Sequence, residues 1–392
     1  METNEKLNTN NEFKNRCYGL VIIKSENSKF NADFTGYPRR LPDDKGTIYA
    51  TDKALKYCIR RYWVDNDKNV FVWRSHLNNG NLRTRDERME NMRNELSNDN
   101  DLKSLIDIEK WVKEKKENKN NININDNEIN DIKSKFSNSY ICKYVEDLKL
   151  SVDKRKNDTE KRKAYDEKVQ EIRNVITAII FSKCIDTKLF GVTYTGEGPL
   201  SLTGPMQISY GINRYSDNTV YVNDILSPYP TGDEGTIQGS VGKEVKTLLS
   251  YYVYDFSFNP QNIVTHYETN EAIKKLMTIT TEDINLLKEA LKCSVTHLDT
   301  ASKIGSENAL LLFITLNENS KICLPAMKNF VEIKDDTSNS SKKIFDLEKV
   351  INELNSKKND IEQIELYYNK NNYNVSLGNF DFNGKITIDE NL

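Results

Sequence analysis

Cys17-Tyr18-Gly19-Leu20-Val21-Ile22-Ile23 is a nearly unbroken apolar run, and its reading decides the fold. Its length and branched residues are those of a strand buried on both faces, hence central in a sheet. A polar loop follows, Asn31-Ala32-Asp33-Phe34-Thr35-Gly36-Tyr37-Pro38-Arg39-Arg40, and then Thr51-Asp52, an N-cap with a carboxylate at the positive helix end. In the helix that starts there, Leu55, Cys58, Ile59 and Tyr62 share one stripe, while Lys53, Lys56 and Arg60 gather on the roughly opposite face. One face packs and the other is cationic, a geometry suited to following a phosphate backbone. Lys and Arg also populate helix faces that bind nothing, so composition alone favours a solvated face.

Downstream, Asn69-Val70-Phe71-Val72-Trp73 reads as a second strand, which makes a strand-helix-strand unit. From about Arg83 to Glu171 the chain turns highly charged, Asn-rich and helix-favouring, broken by the low-complexity tract Asn118–Asn125, as expected of an inserted helical lobe. Its basic clusters, Lys154-Arg155-Lys156 and Lys161-Arg162-Lys163, lie among acidic residues and read as a solvated helix. Ile172, Val175, Ile176, Ile179 and Ile180 then restore a buried helical stripe. Five glycines and two prolines between Gly191 and Gly211 permit close backbone approach or tight turns, without the lysine and hydroxyl of a phosphate loop. Nucleotide hydrolysis is therefore rejected.

Ile212 to Val245 is polar and rich in turn formers, consistent with an extended, mobile projection. Leu248 to Phe258 alternates as a strand whose aromatic row, Tyr252, Tyr254, Phe256 and Phe258, is read as core. Thr280 and Asp283 cap a helix burying Ile284, Leu287, Leu291 and Val295, and Ala309–Ile314 supplies a last strand. Beyond Glu318 the sequence predicts a short amphipathic helix over Phe345–Leu354 and a hairpin over Tyr373–Ile388 turning near Asn383-Gly384.

The 392 residues carry a formal charge of -3, so nucleic-acid contacts must be sought in local patches. Six scattered cysteines read as free, mostly buried thiols, and three histidines (His76, His266, His297) assemble neither a zinc cluster nor a Cys-His pair. No metal and no cofactor are expected. The polar stretch Met1–Asn15 has no apolar signal region and no later segment reaches spanning length, so the expectation is a cytoplasmic protein with no membrane partner.

Arg16–Ser25, the Asn31-Ala32-Asp33 and Pro38-Arg39-Arg40 loop, and Thr51–Tyr62 resemble the Cas-seven backbone subunits (RAMP superfamily) of type I-B CRISPR Cascade complexes. Two further blocks carry the likeness in the family's order: Asp186–Gly191 with Pro199–Gln207, and Thr281–Ile284 through Thr300-Ala301-Ser302-Lys303 to Leu312. The resemblance implies an α+β fold, a ferredoxin-like (RRM-like) palm with an inserted helical lobe and an extended thumb. The corresponding division is a disordered 1–15, palm over 16–82, 172–211 and 247–320, lobe over 83–171, thumb over 212–246 and a C-terminal extension over 321–392.

It also implies a non-catalytic subunit that polymerises along crRNA and presents it to target DNA. Other copies of itself and the other Cascade subunits (large subunit, cap subunit, guide-processing endonuclease) would be its partners. The expected RNA-binding residues are Arg39, Arg40, Lys53, Lys56, Arg60 and, carried by the Thr-Ala-Ser-Lys match, Lys303. The alternative is a type III-like RNase, because related type III subunits carry an aspartate in the loop after the first strand, where Asp33 lies here. Asp33 more simply braces its own turn through side-chain-to-backbone hydrogen bonds.

Overall fold

The structure, a computed structural model, describes residues 11–118, 122–135, 139–230, 238–266, 276–339, 341–382 and 384–392. Met1–Asn10, Lys119–Asn121 of the low-complexity tract, Gly232 and Gly235 of the expected projection, and Asn383 of the expected hairpin turn lie outside the described residues. Two compact units divide the chain: residues 1–67, 205–260 and 279–392 form the first, residues 68–204 and 261–278 the second.

In the first unit β1 (Cys17–Ser28) is the inner strand that its apolar run predicts. It is antiparallel to β8 (Gln238–Phe258) on one side and to β9 (Ser306–Leu316) on the other. The sheet continues outward from β8 through β6 (Gly211–Asn213) to β2 (Tyr49–Ala50), and from β9 through β12 (Ile361–Tyr368) to β14 (Ile386–Asp389). Gly19 sits at the tightest point of this sheet. A Cβ there would collide with the Leu312 carbonyl oxygen in β9 and the Phe256 ring on β8. Gly19→Ala is expected to destabilise the fold by about 1–3 kcal/mol, since an added methyl must push two strands apart. A urea midpoint equal to that of the native chain would refute this.

α1 (Asp52–Asp65) starts where the sequence places it: the Thr51 hydroxyl accepts from the Ala54 amide, and Leu55, Cys58, Ile59 and Trp63 are buried. Trp63 takes the place in the buried stripe expected for Tyr62, which stays half-buried beside His297. α9 (Thr281–Cys293) carries the expected reciprocal cap, the Thr280 amide donating to Asp283 at 2.8 Å and the Asp283 amide to the Thr280 hydroxyl at 3.2 Å. Both helices cover one face of the sheet, where Phe30 packs on Tyr252 and the Tyr254 hydroxyl donates to the Thr51 carbonyl. The aromatic row of β8 is core on this face, as expected.

The opposite face is covered as well, and by the tail. Tyr18, Leu20, Ile22, Tyr251, Val253, Leu310, Leu312 and Ile314 form one cluster with Met327, Ile333, Phe345, Val350, Ile351, Leu354 and Tyr373. These come from β10 (Glu332–Asp335), β11 (Lys343–Asp346), β13 (Tyr373–Ser376), α10 (Glu348–Asn355) and the segment before them. The predicted Tyr373–Ile388 hairpin does not form: β13 pairs parallel with β11, and β14 pairs parallel with β12. Each half meets a better-buried partner elsewhere than the other half provides. Residues 11–15, expected to be disordered, are tied down, with the Phe13 amide donating to the Ile279 carbonyl and the Asn15 side chain to the Leu316 carbonyl.

β8 runs for 21 residues, about 70 Å of extended chain. Up to Lys246 it pairs, among the described residues, only with β7 (Val220–Pro230), so the expected projection is a two-stranded ribbon over its described residues.

The second unit is wider than the 83–171 lobe that composition predicts, taking in residues 68–82, 172–204 and 261–278. It is mainly helical, with α2 (Arg85–Glu95), α3 (Asn100–Glu117), α4 (Asp126–Lys135), α5 (Ser139–Asp153), α6 (Asp158–Lys183), α7 (Ile185–Phe190) and α8 (Gln261–His266). A short hairpin, β3 (Gly191–Tyr194) with β4 (Leu200–Thr203), joins them. The predicted strand Asn69–Trp73 is irregular. The Phe71 and Val72 amides donate to the buried Asp186 carboxylate at 2.8 and 3.0 Å, and the Phe71 ring packs on Phe181. Its donors are thus claimed by a side chain instead of a strand, and the sheet positions beside β8 go to β6 and to β5 (Met206–Ile208). Among the described residues no helix is long and apolar enough to cross a membrane.

Candidate nucleic-acid interface

The loop between β1 and β2 is fixed at both ends. Asn31 Oδ1 accepts from the Thr51 amide at 2.9 Å and the Thr51 hydroxyl at 3.2 Å, which joins the loop entrance to the start of α1. Farther on, the Arg39 carbonyl accepts from the Tyr49 amide at 3.0 Å, two residues before that same N-cap. Arg39 is therefore held beside the beginning of the basic helix.

On the helix, Lys53 and Lys56 share one carboxylate, with Asp52 oxygens 2.8 and 3.3 Å from their ammonium groups. Partial burial pushes the Asp52 carboxyl up, but the two lysines together hold it below the usual carboxylate range. Lys53 stands 77% exposed while Lys56 is only 14% exposed. Burial pulls the Lys56 ammonium below the ordinary lysine value, and the nearby positive charges of Arg60 and Lys53 act in the same direction while Asp52 opposes them. Lys53 and Arg60 thus both lie within electrostatic reach of Lys56. Such a row of like charge gains most from a polyanion, which relieves the repulsion that the fold itself imposes.

Two of the expected residues have other work. Arg40 donates through Nη1 to the Gly46 carbonyl at 2.6 Å and through Nη2 to the Asn218 carbonyl at 3.0 Å, clamping the loop to the segment before β7. Lys303 donates to the Phe30 and Lys29 carbonyls and lies over the Phe30 ring, and burial pulls its ammonium below the ordinary lysine value. Lys303, expected as an RNA contact, directs its charge inward here, where it holds the turn after β1. Sequence spacing could not show this, because the two carbonyls lie more than 270 residues away.

Asp33 is engaged in its own turn. Its Oδ1 accepts from the Thr35 hydroxyl at 2.6 Å, the Thr35 amide at 2.9 Å and the Tyr37 amide at 3.2 Å. The Thr35 hydroxyl, then those amides and the charge of Arg39, hold the carboxyl below the usual range. Among the described residues no three His, Cys, Asp or Glu side chains come together as a metal site.

Sequence reasoning missed a second group of side chains at the β2 edge of the sheet. Tyr49 and Tyr210 stack with ring centroids 5.5 Å apart, and the Tyr210 phenol lies within electrostatic reach of Lys53. Lys328 donates to the Ser209 hydroxyl at 2.8 Å and the Tyr210 carbonyl at 3.0 Å. Its backbone amide caps Asp255, whose carboxyl burial pushes above the usual range. Nothing local in the sequence joins these residues; pairing of β5 and β6 with β8, and of β2 with β6, does so.

Comparison with known proteins gives these residues a family. No curated protein matches the chain. A solved structure titled "CRISPR RNA-guided surveillance complex, pre-nicking" matches at 12% identity, covering 95% of this chain and 96% of that one, with a TM-score of 0.44. Another, titled "CRISPR RNA-guided surveillance complex", matches at 10% identity over 95% of each chain, with a TM-score of 0.40. The family model described as "CRISPR-associated protein Cas7" matches residues 15–366, nearly the whole length and both units, and the chain belongs to that family.

Proposed function

We propose that this protein is the backbone subunit of a type I-B CRISPR surveillance complex, polymerising along crRNA and presenting its bases to target DNA. The observation that carries this reading is the cationic row Lys53, Lys56 and Arg60 on α1, with Arg39 held at its N-terminal end. Point charges on a helix grip sugar-phosphate without reading letters, which leaves sequence recognition to base pairing. The units β1-α1-β6 and β8-α9-β9 fit the two halves of a ferredoxin-like palm, and the β7–β8 ribbon fits its thumb. The other Cascade subunits and further copies of the chain are its partners in this reading, and its place is the cytoplasm.

The role is non-catalytic. Asp33 has its accepting oxygen committed to Thr35 and Tyr37, which favours a brace over a cutting residue. Co-expression with a guide is expected to yield protein carrying RNA, seen as a raised 260/280 nm absorbance ratio, and sequencing should return the guide. Protein free of nucleic acid after that co-expression would refute the proposal. Magnesium and complementary RNA added to the assembled complex should leave that RNA intact. Regular cuts abolished by Asp33→Ala would instead establish the type III-like enzyme.

A further inference from the structure

Phe34, in the loop after β1, is 99% exposed. A phenylalanine so placed forgoes roughly 2–3 kcal/mol that burial would supply. The turn beneath it is nonetheless closely braced. Besides the three hydrogen bonds that Asp33 Oδ1 accepts, the Asp33 amide donates to the Tyr37 carbonyl at 2.8 Å and the Gly36 amide to the Asp33 carbonyl at 3.2 Å. Lys29 Nζ adds a bond to the Gly36 carbonyl at 3.1 Å. Gly36 has φ +87°, a left-handed conformation that an L side chain would strain. An exposed ring on an ordered turn is a displayed group, held ready for a ligand.

The surroundings indicate which ligand. Arg39 acts electrostatically on Asp33, the neighbour of Phe34, and Lys29 reaches the same turn. Tyr37, three residues on, is 46% exposed. Aromatic faces set among cations make up the platforms on which unpaired bases stack while their phosphates are neutralised. A protein pocket for a phenyl ring would have no need of that charge.

We propose that Phe34 stacks on an unpaired nucleobase held beside Arg39, and that Asp33 is the positioning residue for that ring. The proposal rests on the RNA-binding reading above and adds a base contact to it. The base belongs either to the guide or to the strand that pairs with it; the chemistry is the same.

The test measures binding of the full-length chain to a labelled homouridine oligonucleotide and to the same oligonucleotide with abasic sites. Phe34→Ala is expected to weaken binding to the intact RNA by roughly 5- to 100-fold, the usual worth of one stacked base, with the salt slope unchanged because no phosphate contact is lost. Phe34→Tyr should retain the affinity, and abasic RNA should not distinguish Phe34→Ala from the native chain. Asp33→Asn keeps an accepting oxygen and should bind like the native chain, whereas Asp33→Ala should lose part of the stacking.

Repeating the titrations with complementary DNA added identifies the source. A Phe34→Ala deficit with RNA alone assigns a guide base, and one that appears only with the second strand assigns a target base. No deficit in either arm overturns the proposal. So does loss of self-association in Phe34→Ala with RNA affinity intact, which would place the ring in a protein interface. If native RNA binding loses salt slope in Lys56→Ala/Arg60→Ala but is indifferent to Phe34, only this inference fails. A native chain that binds no RNA overturns both.

Discussion

A Lys56→Ala/Arg60→Ala chain is expected to bind single-stranded RNA about tenfold more weakly for each phosphate contact it loses. Its log-affinity should also fall less steeply with log salt, by about 1.4 for the two contacts, because fewer counterions leave the RNA on binding. The fold should survive, since Asp52 keeps Lys53 as its partner and both replaced residues lie off the buried stripe of Leu55, Cys58, Ile59 and Trp63. Alkaline titration adds an independent check. Lys56 loses its proton below the ordinary lysine pKa, so the native chain should lose affinity at lower pH than the double variant does. An unchanged salt slope would remove both side chains from the interface.

Deleting residues 321–392 is expected to leave a chain that does not fold. The deletion strips the layer that covers Tyr18, Leu20, Ile22, Tyr251, Val253, Leu310, Leu312 and Ile314. Re-exposing those eight side chains costs about 12–24 kcal/mol at the usual 1.5–3 kcal/mol each. That is comparable to or larger than the roughly 5–15 kcal/mol by which ordinary domains are stable. Solubility and near-ultraviolet circular dichroism measure the outcome. A soluble truncated chain with a cooperative, native-like melt would show that the tail is an appendage.

The same layer bears on recognition. An RRM-like sheet binds single strands on an open face, but this sheet has helices on one face and the tail's strands and α10 on the other. In the proposed reading, base contacts would therefore fall at the rim, where the loop after β1 and the Tyr49–Tyr210 stack lie.

What could be read locally was read well. Cys17–Ile23 has no polar residue to offer solvent, so its central position follows from the cost of exposing it. Thr51 and Thr280 cap their helices because a hydroxyl one turn before an apolar stripe has few better uses. Asn69–Trp73 misled for an equally physical reason: its β-favouring apolar run signals burial, which Val70 and Phe71 find, but a buried carboxylate satisfied the amides that a strand partner would have taken.

The inner strand, both capped helices, the aromatic core of β8 and the cationic face of α1 were legible from local pattern. Each depends on residues within a few positions of one another, where periodicity and capping operate. The tertiary structure alone decided that Lys303 points inward, that Arg40 clamps a loop, that Lys328 reaches Tyr210 and that the tail completes the core. Those outcomes depend on which backbone carbonyls and apolar faces long-range strand pairing brings together, and no local pattern encodes that pairing.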